Sequence, residues 1–525
     1  MILGMLPAVR RVLVPVVTIG AVFIPAMPAQ ATPDPTPVFR GDIRPQLPPP
    51  VRPQLPKLTR PQVPPPPSTL ASYTLLAPPS IANSQLVARA VLKPGVSCPV
   101  LATVKKVGAQ TITKNYPMTE RTVGPKARPA FTTVKVCSAA IPAGITSASV
   151  GGRTIPATLP ATVTRIGIFA DSGCRVEAGR IQDCAKAWPL APIANRLAAL
   201  KPQVVLNPGD YYYRESACPA ANWAQCGVNP PVAPIAGMPF DDSAHGWMTD
   251  AINPMSALFP VAPIAFLRGN HEACNRAGNG FFLFFDPRPT TAATCEPLAV
   301  GANPVPATPA VTDTWSFSLN VATGRKLKVA MVDSAYGSDD KVTNWVPNQA
   351  KAYLQAALQT QKQPGVESWL MTHRPIFGRQ AGNGFAPNFT PWVSNDQAAA
   401  SQNMLGNYQM ILSSHIHLMQ AVKIPGQPPN LVVGNGGTML DANTTYPIPS
   451  FGPLAKSNGQ AINPAYPPYP KASSMWTKVT FGFGLATAAT AKNSWNFSMQ
   501  GPTGNVFGAC ALTNPTGTAA NLACK

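Results

Sequence analysis

The stretch RIGIFADSG at residues 165–173 decides the fold class. A run rich in branched apolar residues ends at Asp171 and a glycine, as a buried strand followed by a tight turn does. The same plan recurs in VVLNPGD at 204–210 and in IAFLRGN at 264–270, and a helical pattern over 191–200 separates the first two strands. Strands that alternate with helices predict an α/β fold. Polar residues at the strand ends predict a site at the carboxyl edge of a sheet.

Residues 368–417 show the same arrangement, in which apolar runs end at polar residues. Apolar runs at 368–372 and 410–414 end at His373 and at the pair His415 and His417, and residues 348–359 carry apolar residues at helical spacing. The chain has five histidines; His373, His415 and His417 follow these runs, and His271 follows the stretch that ends at Asn270. Histidine is the commonest metal ligand, so this concentration points to a metal site.

The residue types indicate which cations fit. Two aspartates follow separate strands, Asn270 offers an amide oxygen, and on an extended segment His415 and His417 point the same way. Mixed oxygen and nitrogen donors suit iron, zinc or manganese better than calcium. Two such ions about 3.5–4 Å apart can hold a hydroxide between them and stabilise in-line displacement at phosphorus. The motifs therefore predict hydrolysis of phosphate esters.

Five motifs in chain order carry a family resemblance. They are Asp171-Ser-Gly173, Gly209-Asp210-Tyr-Tyr-Tyr213, Gly269-Asn270-His271-Glu272, His373 and Ser414-His415-Ile-His417. Over residues 162–445 the chain resembles the calcineurin-like metallophosphoesterases and is most similar to their purple acid phosphatase branch. The resemblance implies a four-layer α/β/β/α sandwich preceded by a small all-β domain.

The resemblance also implies roles for these residues. It implies two metal ions that share Asp210, the first held by Asp171, Asp210, Tyr213 and His417 and the second by Asp210, Asn270, His373 and His415. The phenol of Tyr213 implies Fe(III), with Zn, Mn or Fe(II) as its neighbour. His271 is implied to donate a proton to the leaving oxygen. Apart from the resemblance, we expect Glu272 to orient a ligand or loop. Arg374 either stabilises phosphate charge or forms an ion pair.

The last motif departs from the family pattern at one position. Ser414 stands where the family has glycine, a place that needs a close turn or backbone approach. The D-x-G form of the first motif also lacks a histidine found in other branches, which makes Tyr213 a plausible substitute ligand.

The N-terminal part predicts export and a modular layout. Arg10 and Arg11, a short apolar run and the sequence AQA at 29–31 predict a signal peptide over 1–31, and hence a secreted or periplasmic protein. Residues 32–68 hold fourteen prolines and a basic octad repeat, which predict an extended linker. Runs at 85–92 and 131–137 predict a β-rich domain over 69–161, and the catalytic domain then spans 162–525.

Ten cysteines fit an oxidising compartment. We expect them to pair in sequential order, as Cys98–Cys137, Cys174–Cys184, Cys218–Cys226, Cys274–Cys295 and Cys510–Cys524. No C-x-x-C spacing suggests a thiolate zinc site.

A formal net charge of +20 suggests attraction to anions. The expected substrate is a small phosphomonoester, and the basic linker could contact the cell envelope. The alternatives are a phosphodiesterase or nucleotidase with the same site, and a non-catalytic envelope-binding protein. No recognition motif predicts specific nucleic-acid binding.

Overall fold

The computed structural model describes most of the chain beyond the linker. The described residues are 68–227, 242–290, 295, 312–321, 324–337, 339, 345–360, 366–378, 400–401, 403–441, 472–491, 494–513 and 519–525. The predicted signal peptide over 1–31, and the linker over 32–68 except for its last residue, lie outside them. In the described part of the chain no helix is long and apolar enough to cross a membrane.

The strands and helices are as follows. The first strands are β1 Thr69–Leu76, β2 Leu86–Leu92, β3 Val100–Val107, β4 Gln110–Pro117, β5 Thr119–Arg121, β6 Lys135–Ala140, β7 Ser147–Val150, β8 Arg153–Ile155, β9 Arg165–Ile168, β10 Val176–Glu177, β11 Arg180–Ile181, β12 Val204–Asn207 and β13 Ile264–Phe266. The later strands are β14 Trp315–Val321, β15 Arg325–Val332, β16 Val366–Thr372, β17 Met410–Ser413, β18 Met419–Lys423, β19 Asn430–Val433, β20 Ser474–Lys478, β21 Phe483–Ala488, β22 Trp495–Gln500, β23 Val506–Thr513 and β24 Asn521–Cys524. The helices are α1 Leu190–Ala199, α2 Trp223–Cys226, α3 Ala244–Trp247, α4 Gly278–Phe284 and α5 Val346–Gln359.

Two mixed sheets dominate the described residues. The larger has eleven strands in the order β24-β23-β22-β21-β9-β12-β13-β1-β2-β6-β5. The smaller has seven, in the order β14-β15-β16-β17-β19-β18-β20. Strands β9, β12 and β13 run parallel in the first, and β15, β16, β17 and β19 run parallel in the second. The predicted motifs follow the carboxyl ends of β9, β12, β13, β16 and β17.

The sheets pack face to face with helices outside. Leu206 from the larger sheet and Met371 from the smaller belong to one buried core between them. Because side chains alternate along a strand, their neighbours face outward: Val205 packs with α1 and α4, and Leu370 packs with α5. The layers are therefore helix, sheet, sheet and helix, which confirms the predicted α/β/β/α arrangement.

The N-terminal region is strand-rich, as predicted, but its strands divide between two sheets. Strands β3, β4, β7 and β8 form a separate four-stranded sheet. Strands β1, β2, β5 and β6 extend the larger sheet, and β1 joins it by parallel pairing of Leu75 with Ile264 of β13. The boundary predicted near residue 161 thus does not coincide with a break in the sheet, because a strand's pattern does not reveal which partner it pairs with.

Two buried arginines tie the N-terminal strands to α4. Arg89 on β2 donates from Nη1 to the carbonyl oxygens of Leu283 at 2.7 Å and Phe284 at 2.9 Å. Arg121 on β5 donates from Nε to the Leu283 oxygen at 2.9 Å. The last carbonyls of a helix lack intrahelical partners and carry partial negative charge. The two guanidinium groups therefore cap the helix that follows the Gly269–Glu272 motif.

All ten cysteines are paired, and the sequential pairing is confirmed at each of the five bonds. Cys174–Cys184 and Cys274–Cys295 each close a loop that leaves a predicted metal motif. They brace the two loops from outside the ligand cluster.

Candidate metal centre

The predicted ligands meet at one edge of the sandwich. Asp171, Asp210 and Asn270 follow the parallel strands β9, β12 and β13 of the larger sheet, while His373 and His415 follow β16 and β17 of the smaller. The turns after these strands bring polar side chains from both sheets together, and every one of the seven predicted ligands contacts another.

Three of these residues occupy an unusual backbone conformation. Asp171, Asp210 and His415 have φ angles of 51°, 59° and 72°. This left-handed region is disfavoured for residues with a side chain and costs on the order of 1 kcal/mol or more. In each case the turn directs the side chain back across the strand ends into the cluster.

Glycine is required where two motif loops touch. A side chain at Gly269 would place its Cβ 2.0 Å from Asp210 Oδ1 and 2.5 Å from the Asp210 backbone nitrogen. Because the second contact is with backbone, no rotation could relieve it. The Gly-Asn-His-Glu loop can therefore approach Asp210 only because this residue is glycine.

Glu272 holds the same two loops from behind. Its Oε1 accepts hydrogen bonds from the backbone N–H of Tyr211 at 2.8 Å and Tyr212 at 3.2 Å. Its Oε2 accepts from the N–H of Asp210 and of Gly269, both at 3.0 Å. Four buried donors thus converge on one carboxylate, which matches the expected orienting role.

One half of the cluster surrounds the Tyr213 hydroxyl. The oxygen lies 2.8 Å from Asp171 Oδ1, 2.9 Å from Asp210 Oδ2 and 3.2 Å from His417 Nε2. Tyr213 is fully buried. A phenol has one proton to donate, so it can satisfy only one of these three acceptor groups at a time.

The other half surrounds His373 Nε2. This atom lies 2.9 Å from Asn270 Oδ1, 3.2 Å from His415 Nδ1 and 3.2 Å from Asp210 Oδ2. Ligand atoms of Asp210, His373 and His415 all lie within 4.8 Å of one another. Asp210 Oδ2 therefore belongs to both halves of the cluster.

The donor arrangement fits metal ions. His373 Nδ1 lies 3.0 Å from the carbonyl oxygen of Pro208, which can only accept, so in the neutral form of the ring, the form that binds metal, the proton lies on Nδ1. Nε2 then presents a lone pair toward the oxygens of Asn270 and Asp210. Atoms that each bind one cation at about 2.0–2.3 Å lie roughly 3–3.5 Å apart, as these do. A cation among them would satisfy lone pairs that otherwise face one another.

The pKa shifts of Asp171 and Asp210 also favour a bound cation. Burial raises the pKa of Asp171 well above its ordinary value, and the charge of Asp210 raises it further. Burial also opposes the charge on Asp210, but His373 and His271 outweigh it and hold the pKa of Asp210 well below its usual range. Without a cation, then, the two aspartates do not ionise equally, whereas a cation pair would stabilise both charges.

The imidazoles are suited to bind metal in their neutral form. Burial lowers the pKa of His415 to about 4. Burial and the nearby charge of Arg175 hold the pKa of His417 well below its ordinary value. Burial and the carboxylates of Asp171 and Asp210 raise the pKa of Tyr213, so its phenol keeps its proton unless a strongly acidic cation displaces it.

His271 lies beside the ligands without joining them. Its Nε2 is 3.8 Å from Asp210 Oδ2, while Nδ1 lies 2.6 Å from Glu215 Oε1. The same Glu215 oxygen accepts a hydrogen bond from Arg276 at 2.7 Å. Burial and Arg276 lower the pKa of His271, while Asp210 and Glu215 oppose that shift. The ring therefore contacts Glu215 through Nδ1, while Nε2 lies on the side of Asp210.

Arg374 lies at the edge of the cluster in an ion pair. Its Nη1 contacts Asp339 Oδ2 and lies 3.0 Å from His415 Nε2. Its backbone N–H donates to Ser334 Oγ at 2.9 Å. Of the two roles that the sequence left open, the ion pair is present, and a contact with phosphate stays a prediction.

Ser414, the departure from the family pattern, has a defined place. Its hydroxyl lies 3.0 Å from the carbonyl oxygen of Pro208 and 2.9 Å from His373 Nδ1. Both partners lie on the side of the His373 ring away from the cluster. The serine therefore adds to the hydrogen bonds that fix this ring.

Sequence reasoning missed the groups that contact the ligands from outside. Glu215 meets His271, Asp339 meets His415, and the backbone N–H of His417 donates to Asp441 Oδ2 at 3.2 Å. The guanidinium of Arg175 lies 4.8 Å from the centroid of the Tyr213 ring. These residues stand in loops with no repeating pattern, and only Glu215, two residues beyond Tyr213, had a position that could have drawn notice.

Comparison with known proteins agrees with this geometry. Residues 164–419 match the family model described as calcineurin-like phosphoesterase. The chain carries a calcineurin-like phosphoesterase domain. No curated protein shows significant sequence similarity to the chain.

Several solved structures resemble this chain in fold. A purple acid phosphatase from yellow lupin (Lupinus luteus) seeds is 13% identical, with 84% of this chain and 73% of that one covered and a TM-score of 0.47. PhoD is 12% identical, with 88% and 93% covered and a TM-score of 0.47. GAP50, the anchor in the inner membrane complex of Plasmodium, is 11% identical, with 68% and 89% covered and a TM-score of 0.34.

Proposed function

We propose that this phosphoesterase is an exported, two-metal enzyme of purple acid phosphatase type that hydrolyses small phosphomonoesters. The observation that carries the proposal is the set of lone pairs that face one another around His373 Nε2 and the Tyr213 hydroxyl. A family match to phosphoesterases supports the reaction class.

Two adjoining ligand sets support a metal pair. The first comprises Asp171, Asp210, Tyr213 and His417, and the second comprises Asp210, Asn270, His373 and His415. Asp210 Oδ2 lies within 2.9 Å of Tyr213 and 3.2 Å of His373, which suits a bridging carboxylate. Fe(III) beside Tyr213, with Zn, Mn or Fe(II) in the second set, accounts best for a buried phenol among carboxylates.

Metal ions held there would supply a nucleophile at neutral pH and neutralise charge on the phosphate. The protein's own contribution begins with His271, whose Nε2 faces the cluster. A proton held on that atom could pass to the departing alcohol oxygen, and Glu215 keeps the ring oriented for the transfer. Arg374 adds positive charge beside His415, where it would favour an anionic substrate.

Export is supported by the predicted signal segment and by five disulfides, which persist in oxidising compartments. A secreted or periplasmic enzyme would meet phosphate esters outside the cytoplasm. The basic linker over 32–68 would contact an anionic envelope by charge attraction.

The test compares aryl phosphate monoesters and diesters on the purified full chain with Fe, Zn or Mn added. We expect faster turnover of p-nitrophenyl phosphate than of bis(p-nitrophenyl) phosphate. Asp210→Asn should lower turnover by several orders of magnitude, because it removes charge from the shared ligand. The same change at exposed Asp313 is the matched control and should have no effect.

The outcomes separate the alternatives. Preference for the diester would replace the monoesterase proposal with a phosphodiesterase or nucleotidase at the same site. Full activity in Asp210→Asn would refute the bridging role. A wild-type chain with no turnover under any metal would instead favour a non-catalytic envelope-binding protein.

A further inference from the structure

Asp339 faces His415 from the side opposite the ligand cluster. Its Oδ2 lies 3.0 Å from His415 Nε2, and its side chain is 19% exposed. The other ring nitrogen, Nδ1, lies 3.2 Å from His373 Nε2 inside the cluster. His415 therefore presents one nitrogen to a carboxylate and the other to the predicted metal position.

The neighbours of Nε2 differ in what they can do. Arg374 Nη1 lies 3.0 Å from this atom, but a guanidinium has donors and no acceptor. Of these two neighbours, only Asp339 can accept a hydrogen bond from a protonated Nε2. A hydrogen bond to Asp339 needs the proton on Nε2, which puts the lone pair of a neutral ring on Nδ1, whereas a hydrogen bond from Arg374 would need the opposite tautomer.

The same carboxylate also offsets the charge of Arg374, which contacts Asp339 Oδ2. If the carboxylate were absent, the Nε2 proton would face a guanidinium donor, an unfavourable contact. The ring would then favour the other tautomer, with its proton on Nδ1. A proton on that nitrogen occupies the lone pair that a metal needs.

An ordinary surface ion pair between Asp339 and Arg374 is the simpler explanation of the contact. Two observations favour a larger role. Both side chains are mostly buried, with 19% and 9% exposed. Both also lie 3.0 Å from Nε2 of the predicted ligand His415, a contact that an ion pair on the surface would not make.

We propose that Asp339 is a positioning residue that sets the tautomer of His415 and thereby the affinity of the second metal position. This rests on the proposed two-metal function. Outer carboxylates that fix ligating histidines typically change metal affinity about 10- to 100-fold when removed. Asp339 would act through His415, whose Nε2 it contacts, rather than on the reacting atoms.

The experiment measures Zn²⁺ affinity on the full chain by competition with a chelating dye, in three variants. Asp339→Ala should weaken the second equivalent of Zn²⁺ about 10- to 100-fold and leave the first unchanged. Asp339→Asn keeps an acceptor but not the charge, so it should weaken binding less than Asp339→Ala does, by less than about tenfold. Asp339→Ala combined with Arg374→Met should recover part of the affinity, because the opposing guanidinium is gone.

If Asp339 only stabilised the local fold, the three variants would not follow this order of Zn²⁺ affinities. Far-UV circular dichroism of the metal-free variants checks that each is folded, and the partial recovery in the double variant would show that the first change had not unfolded the site. Unchanged Zn²⁺ affinity in Asp339→Ala would overturn this proposal while the two-metal function stands. A wild-type chain that binds no metal would overturn both.

Discussion

Glu272→Gln should destabilise the protein, although the two side chains are nearly the same size. The carboxylate accepts four backbone hydrogen bonds, two on each oxygen. The amide of glutamine keeps one acceptor oxygen, and its amino group would face the other two N–H donors. A buried donor left unsatisfied costs about 1–3 kcal/mol. Two such donors predict a loss of about 2–6 kcal/mol in the free energy of unfolding.

Burial raises the pKa of Glu272 to about 8, so urea denaturation of the metal-free chain at pH 9, with its disulfides intact, measures this loss for the ionised carboxylate and without a contribution from metal binding. Glu120→Gln is the matched control, because Glu120 is half exposed in an ion pair with Lys135, and surface pairs contribute about 0–1 kcal/mol. If Glu272→Gln cost no more than this control, the carboxylate would not hold the two metal loops together.

Three further changes test separate parts of the structure. Gly269→Ala should abolish metal binding, measured by elemental analysis, because its Cβ would strike the Asp210 backbone, whereas Gly406→Ala, with no atom within 4 Å, should bind metal normally. Burial raises the pKa of Asp242 to about 6 from 3.8, so its contribution to stability is present below pH 3.8 and lost as the pH rises through 6. Relative to Asp242→Asn, wild-type stability in urea titrations should fall by about 2.4 kcal/mol between pH 4 and pH 7.5. Arg121→Met removes several donors to the end of α4 and should lower the unfolding free energy by about 2–5 kcal/mol, and a loss below 1 kcal/mol would refute the capping role.

The parts of the fold that follow from local rules were predictable. Strand ends marked by Asp171, Asp210 and His373 were visible because an apolar run stops abruptly at a polar residue. The helix predicted over 348–359 is present as Val346–Gln359, since its apolar residues repeat at helical spacing. Short sequence separations likewise favoured the sequential disulfides.

Other features depend on contacts between distant segments. The run at 131–137 becomes a strand only from Lys135, because Arg128–Phe131 forms a 3-10 turn with proline near its start. The pairing of β1 with β13 is a choice of partner that no local pattern encodes. Asp339 lies in a loop without periodicity, and only the folded chain shows that it meets His415.

The metal content of the purified full chain, measured by elemental analysis together with its visible spectrum, tests the central claim most directly. The proposed function predicts two metal ions per chain, one of them iron, and a purple or pink colour from Tyr213 bound to Fe(III). A colourless protein with two zinc or manganese ions would keep the two-metal site and remove the phenolate ligand. A chain that takes up less than one ion of iron, zinc or manganese would contradict the metal centre itself.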